Sequence, residues 1–249
     1  MQAMEGELPA ELRPMVRVEA VVGKSIDPRD PRQPLSPLCR KQLLQPWRVC
    51  NDLQIDSLGA VGVTLSHVLT WQWLLDSEHQ YALILEDDCQ VASGFAATWD
   101  SEVRPILLDG NVDVLVLGYS LRQGIIQPRL SCIKGGHLAR FMFEGTHCYA
   151  VTRRGARRLL SLVFPIQWHI DAFLAAVIVL SDVRGLAWRT SLAKQAPSHG
   201  FSYVAHYGHQ SSLRRLVPDA SPGYAVLLLA LMLLVALRLP GCITQVKRG

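Results

Sequence analysis

"YALILEDDCQ", Tyr81–Gln90, sets five mostly apolar residues directly against three carboxylates. Aspartate is depleted in strands and adjacent like charges repel, so Glu86, Asp87 and Asp88 end the element that Tyr81–Leu85 begins. An apolar run of this length closed by charge reads as a buried strand of the parallel type, emptying into a loop at its C-terminal edge. In open α/β sheets, ligands bind at that edge. Three acids held close together there suit a hard divalent cation such as Mn²⁺ or Mg²⁺, which takes oxygen ligands. The other reading is a solvated acidic turn ahead of a helix that starts at Ser93.

Working upstream, "SLGAVGVTLSHVLTWQWLLDS", Ser57–Ser77, has Val61, Leu65, Val68, Leu69 and Leu75 on one helical stripe, with Ser57 placed to cap the first turn. Gly59, Gly62, Ser66 and Thr70 form a line of small residues beside it. Glycine weakens a helix, so the line implies close approach of backbone or ligand. Thr64, His67 and Trp71 lie next to that line. Two readings stay open: Ser66 or His67 points into a cleft, or the face is packing surface with a hydrogen-bonded histidine. Further upstream, "VRVEAVV" alternates as a short strand does, and the proline-rich residues 25–40 read as loop.

Downstream, "NVDVLVLGYS" repeats the pattern of an apolar run followed by polar residues. "THCYAVTRRGARRLLSL" predicts a short strand, a cap at Thr152 and a helix. Arg153, Arg154, Arg157 and Arg158 share one face of that helix, either to meet an anion or as a solvated basic face. "PIQWHIDAFLAAVIVL" predicts a loop containing His169 and Asp171, then an apolar helix. Strands alternating with helices define an α/β class with a mainly parallel sheet.

Composition bounds the rest. A chain of 249 residues with 49% hydrophobic content buries one good core, with room for a small appendage, and is not disordered. The net charge of +4 is mild and its Lys and Arg are scattered, which argues against a nucleic-acid partner. The six cysteines show no zinc-type spacing and assign no redox compartment. "GYAVLLLALMLLVALRL", Gly223–Leu239, is apolar apart from Arg238 and lies between two prolines. It stands near the lower length limit for a membrane-crossing helix, roughly 17 residues. Membrane insertion or close association is expected of it, with residues 206–222 as linker and residues 14–205 as the main domain.

"GAVGVTLSHVLTWQWLL", "YALILEDD", "VDVLVLGYS", "GTHCYAVTRRGARRLL" and "IQWHIDAFL", in this order and at these distances, resemble glycosyltransferase family 25. That family includes lipooligosaccharide β-1,4-galactosyltransferases and procollagen galactosyltransferases. The resemblance implies a GT-A-like fold, a UDP-hexose donor (galactose foremost), a divalent metal and inversion at the anomeric carbon. The acceptor would be a saccharide, a glycolipid or a hydroxylysine-bearing glycoprotein, at an endoplasmic reticulum or Golgi membrane. It further implies a D-x-D-like role for the acidic run, with Asp88 and Glu86 on the metal and His199 as the downstream metal ligand. Gly62, Ser66, His67, Glu86 and Asp87 would line the donor site, and Asp171 would be the base, with helix capping as its alternative role. Two departures stand out: the strand with which family members open has no counterpart ahead of "LRPMVRVEAVVGKSI", and Ala60 replaces the family's usual glutamate. A non-catalytic, membrane-associated binding protein of the same fold is the second expectation.

Overall fold

The computed structural model describes residues 7–45, 55–120, 143–188 and 190–196. Within them a six-stranded sheet carries helices on both faces. The strands are β1 (Tyr81–Leu85), β2 (Cys89–Val91), β3 (Val114–Ser120), β4 (Glu144–Thr152), β5 (Gly185–Ala187) and β6 (Ala193–Gln195). The helices are α1 (Pro37–Leu44), α2 (Leu58–Asp76), α3 (Phe95–Thr98), α4 (Arg104–Leu108), α5 (Arg153–Leu162) and α6 (Ile170–Leu180), with a π-helical turn, Trp99–Val103, joining α3 to α4.

The sheet is mixed rather than mainly parallel. The strand order is β1-β4-β3-β6-β2, with β5 also on β3. β4 lies antiparallel between β1 and β3, and β2 is antiparallel to β6; β5 and β6 run parallel to β3. Apolar runs report burial on two faces, which β1 and β3 have, but they do not encode the direction of a neighbour. "VRVEAVV" joins no strand, and its Val16 and Val22 are exposed.

Alternation along β1 sends its side chains to two cores. Ala82 and Ile84 face the cluster made with Trp71 and Leu74 of α2, Leu159 of α5 and Phe173 and Leu174 of α6. Tyr81, Leu83 and Leu85 face the opposite cluster, built on Phe95, Trp99, Val103 and Leu107. A third cluster around Ile26, Leu35, Cys39, Val61 and Ile166 seats α1 against the start of α2. α2 is, among the described residues, the one helix long and apolar enough to cross a membrane by length and composition. Its part in two of these clusters makes it a core helix.

Several local expectations hold. The Ser57 hydroxyl accepts from Ala60 N–H at 3.2 Å and Thr152 from Gly155 N–H at 3.1 Å, capping α2 and α5. Others are corrected. Residues 37–40, expected as loop, begin α1, because Pro37 sits in the first turn, where its missing N–H costs nothing, and Ser36 caps Cys39 N–H. The helix expected at Ser93 starts after Gly94, whose φ of +80° suits glycine, and β2 intervenes between it and the acids. Asp171 lies in the first turn of α6 rather than in the loop before it.

The buried face of α2 follows the expected stripe only in part. Val61 is buried and Leu65, Val68 and Leu75 pack against the cores, but Leu69 is 44% exposed and Ala60, Thr64, His67, Trp71 and Leu74 are buried as well. A helix apolar on most sides leaves periodicity little to discriminate, and its neighbours decide which side is covered. The small-residue line meets backbone: a Cβ on Gly62 would lie 2.5 Å from the Val21 carbonyl oxygen, and one on Gly23 2.3 Å from that of Leu58. Residues 21–23 therefore cross the start of α2 in direct backbone contact.

Candidate active site

Glu86 continues the β1 ladder for one more residue, its N–H donating to the His147 carbonyl at 3.1 Å. With period two, it falls on the same side as Ala82 and Ile84, toward α2. The chain then turns, Cys89 N–H closing back on the Glu86 carbonyl at 3.1 Å. The turn splits the three acids: Glu86 and Asp88 are partly buried and Asp87 is exposed.

β6 brings Gln195 into register with Cys89, and its side-chain amide lies 3.4 Å from both Glu86 Oε2 and Asp88 Oδ2. Two carboxylates thus converge on one neutral side chain. Asp88 Oδ1 is buried and, among the described residues, has no hydrogen-bond partner. Burial, then the charges of Glu86 and Asp87, push the Asp88 carboxyl above its ordinary range.

Glu86 shifts the other way. Burial pushes its carboxyl up, but the His67 imidazole and the Thr146 hydroxyl outweigh that and hold it below the ordinary range. Thr146 Oγ1 donates to Glu86 Oε1 at 2.7 Å, and His67 Nε2 lies 3.7 Å from the same oxygen. Behind His67, the Tyr149 hydroxyl stands 2.8 Å from Nδ1 and accepts from Trp71 Nε1–H at 2.9 Å.

A bulge makes this gathering possible. Residues 146 and 149 of a regular strand point to opposite faces, yet both Thr146 and Tyr149 reach His67. The β3–β4 register slips between Gly118↔Cys148 and Ser120↔Glu144, and Gly145 there has φ +86°. Such an irregularity re-aims side chains, as bulges beside functional sites do.

Asp171 reaches the same strand from α6. Its Oδ2 accepts from Gly145 N–H at 3.0 Å and its Oδ1 from Ala172 N–H at 2.7 Å. It therefore fastens α6 to the strand start one residue from Thr146. His169, not Asp171, occupies the N-cap position, and its side chain makes no capping bond.

Of the residues read from sequence, the structure brings together Glu86, Asp88 and His67, with Asp171 one strand residue away. Asp87 faces out. Ser66 spends its hydroxyl on the Gly62 carbonyl at 2.8 Å and accepts from Val21 N–H at 2.9 Å, so Gly62 and Ser66 seat residues 21–23. His199 and Gly223–Leu239 lie outside the described residues. Thr146 and Tyr149 lie within "GTHCYAVTRRGARRLL" but draw no site role from it, and Gln195 lies outside all five stretches. The basic face of α5 is structural: Arg154 and Arg158 bind Asp113, Arg153 donates to the Leu74 and Leu75 carbonyls that end α2, and Arg157 is exposed.

Whether a divalent cation fits can be judged from the donor set. Among the described residues no three His, Cys, Asp or Glu side chains form a metal-holding group. Two hard carboxylates, one with a buried oxygen lacking any partner, suit an ion of the Mg²⁺ or Mn²⁺ type that takes one or two carboxylates and fills its other positions with water and substrate phosphates.

The chain is a mixed α/β domain in which two partly buried carboxylates converge on one side chain at a strand end. The sequence matches glycosyltransferase family 25 (LPS biosynthesis protein) over residues 14–174, more than half of the chain, and the protein belongs to that family. A search of curated proteins gives no match. Family membership supports a transferase that moves a glycosyl group from a sugar donor to a glycan acceptor.

Proposed function

We propose that the protein is an inverting, metal-assisted glycosyltransferase that takes a hexose, galactose foremost, from a UDP-sugar. The observation that carries this reading is the convergence of Glu86 and Asp88 on Gln195, with Asp88 Oδ1 buried and unpartnered among the described residues. Among the described residues no Lys or Arg pairs with either carboxylate, and a divalent cation carrying a diphosphate would supply the missing positive charge. Glu86 and Asp88 would hold the ion, which would supply Lewis-acid assistance to the departing nucleotide. His199 is proposed as a further ligand.

The chain's own residues do the remaining work. Thr146 fixes the Glu86 carboxylate through Oε1, which leaves Oε2 facing Asp88. Gln195 spaces the two acids with an amide that carries no charge of its own. Asp171 is the proposed base: single displacement needs a carboxylate to take the proton of the acceptor hydroxyl. Its two backbone N–H contacts orient it on rigid elements, one from β4 and one from α6. The acceptor is proposed to be a saccharide, glycolipid or glycoprotein, with Gly223–Leu239 holding the domain at a membrane.

The test is a donor screen on the purified chain with UDP-galactose, UDP-glucose and UDP-N-acetylhexosamines, with and without Mn²⁺. Metal-dependent release of UDP from one of these donors is the expected result. No UDP binding and no turnover with Mn²⁺ would leave a non-catalytic member of the family.

A further inference from the structure

We infer that Trp71, Tyr149 and His67 form a one-way hydrogen-bond relay that fixes His67 as its Nε2–H tautomer and turns that proton toward the Thr146 hydroxyl oxygen and the Glu86 carboxylate beside it. The three are positioning residues for that carboxylate, and the role presupposes the Glu86 site proposed above.

The direction follows from counting donors. Trp71 and Tyr149 are fully buried and His67 is 6% exposed, so bulk water does not serve this cluster. An indole N–H only donates, so at 2.9 Å the Tyr149 oxygen must accept from Trp71. The phenol has one proton left to give, and His67 Nδ1 stands 2.8 Å away. If Nδ1 carried the proton instead, the phenolic hydrogen would be stranded in a dry site, which is costly for a buried donor. A doubly protonated ring would strand it too.

The far end of the ring gives the same answer independently. Thr146 uses its hydroxyl proton on Glu86 Oε1 at 2.7 Å, so it turns lone pairs toward His67 Nε2 at 3.5 Å. Glu86 Oε1 itself is 3.7 Å from that nitrogen. A bare Nε2 would oppose its lone pair to a hydroxyl oxygen and a carboxylate oxygen at once. Carrying the proton, it faces two acceptors.

Every donor in the chain therefore points from the core toward Glu86 Oε1, and Oε2 is left on the Asp88 side. The residues lie on α2 and β4, two core elements, so the carboxylate inherits their rigidity. Groups that hold a ligating carboxylate or histidine in place are commonly worth 10- to 100-fold in metal affinity.

Nitrogen-15 NMR of the histidine-labelled full chain, without metal, reads the tautomer directly, the His67 signals being assigned by their loss in His67→Gln. The expected result is a single Nε2–H form that becomes a tautomer mixture in Tyr149→Phe; an Nδ1–H or a doubly protonated His67 at neutral pH overturns the relay. Calorimetry with Mn²⁺ and UDP supplies the second arm. Tyr149→Phe should weaken binding by about tenfold or more. His67→Gln, whose amide nitrogen takes the place of Nε2 but which leaves Tyr149 without its acceptor, should lose less than His67→Asn, which reaches only the Nδ1 position and should fall with Tyr149→Phe. Equal losses in His67→Gln and His67→Asn overturn the proposal. If the wild-type chain binds no Mn²⁺–UDP, the reading of Glu86 as a ligand fails, and the NMR arm alone decides the relay.

Discussion

Asp113 and Asp88 each stand one residue ahead of a strand, β3 and β2, and each has a carboxylate oxygen withdrawn from water, yet they are treated in opposite ways. Asp113 is fully buried and satisfied. Its Oδ1 accepts from Arg154 Nε, and its Oδ2 accepts from Arg158 at 2.7 Å and from the Arg184 backbone N–H at 2.9 Å. Burial opposes its ionisation, but the Arg184 N–H and the two guanidinium groups outweigh burial and hold the carboxyl below its ordinary range. Asp88 has a buried oxygen without a partner among the described residues and two acidic neighbours, and its carboxyl is pushed up. One negative charge is neutralised from within the fold; the other, on the function proposed here, awaits a cation. The proposed function thus separates a carboxylate that holds the structure from one that serves a ligand, a distinction a count of buried acids would miss.

Substitution should divide the two most sharply. Asp88→Asn is expected to lower any Mn²⁺-dependent UDP-hexose turnover by about 100-fold or more, at or beyond the top of the range for groups around a metal. Thermal unfolding of that variant should be unchanged or slightly improved, since a repelled charge is removed. Asp113→Asn should do the converse. Breaking a buried ion pair from one side costs about 3 kcal/mol at the lower end, and both arginines stay partly exposed and can rehydrate. In a chain of this size that lowers the melting temperature by roughly 6–12 °C, with turnover by the folded fraction intact.

A smaller effect sharpens the comparison by moving backbone alone. A Cβ on Gly155 would lie 2.2 Å from the Asp113 carbonyl oxygen. Gly155→Ala should therefore cost about 1–3 kcal/mol by overpacking, read from denaturant melts, without touching the Asp113 carboxylate.

The pH dependence of stability offers the mildest test, and its sign differs between the two acids. Asp113 has a depressed folded pKa, so its contribution is present above the unfolded value near 3.9 and is lost as pH falls through the folded one. Asp88 has a raised folded pKa, so its ionisation erodes stability as pH rises from the unfolded value through the folded one. Stability curves between about pH 3 and 7 should accordingly lose the acid-side fall in Asp113→Asn and flatten on the other side in Asp88→Asn.

Much of the fold could be read from particular residues before any coordinates. Ser57 and Thr152 announce their helices because a cap needs only a hydroxyl one residue ahead of a turn. Glu86 and Asp88 mark the strand end because charge terminates a buried run. Strand direction was not legible: β1 and β3 sit on either side of an antiparallel β4 whose place depends on contacts distant in sequence. Nor was the partner set of Glu86. Thr146 and Tyr149 share a side only through an irregularity at Gly145 and Gly118, and Gln195 sits on a three-residue strand too short to show a period. The small residues of α2 leave room for backbone or ligand, and at Gly62 the backbone of Val21 and Gly23 lies against them.

The central claim is that Glu86 and Asp88 together hold one divalent ion against a nucleotide diphosphate. Titrating the full chain with Mn²⁺ in the presence of UDP, and following bound Mn²⁺ by the loss of its free electron-spin resonance signal, tests it directly. One Mn²⁺ per chain is expected, dependent on UDP and lost in both Glu86→Gln and Asp88→Asn. Mn²⁺ binding that survives both substitutions unchanged, or no bound Mn²⁺ in the wild-type chain, would contradict it.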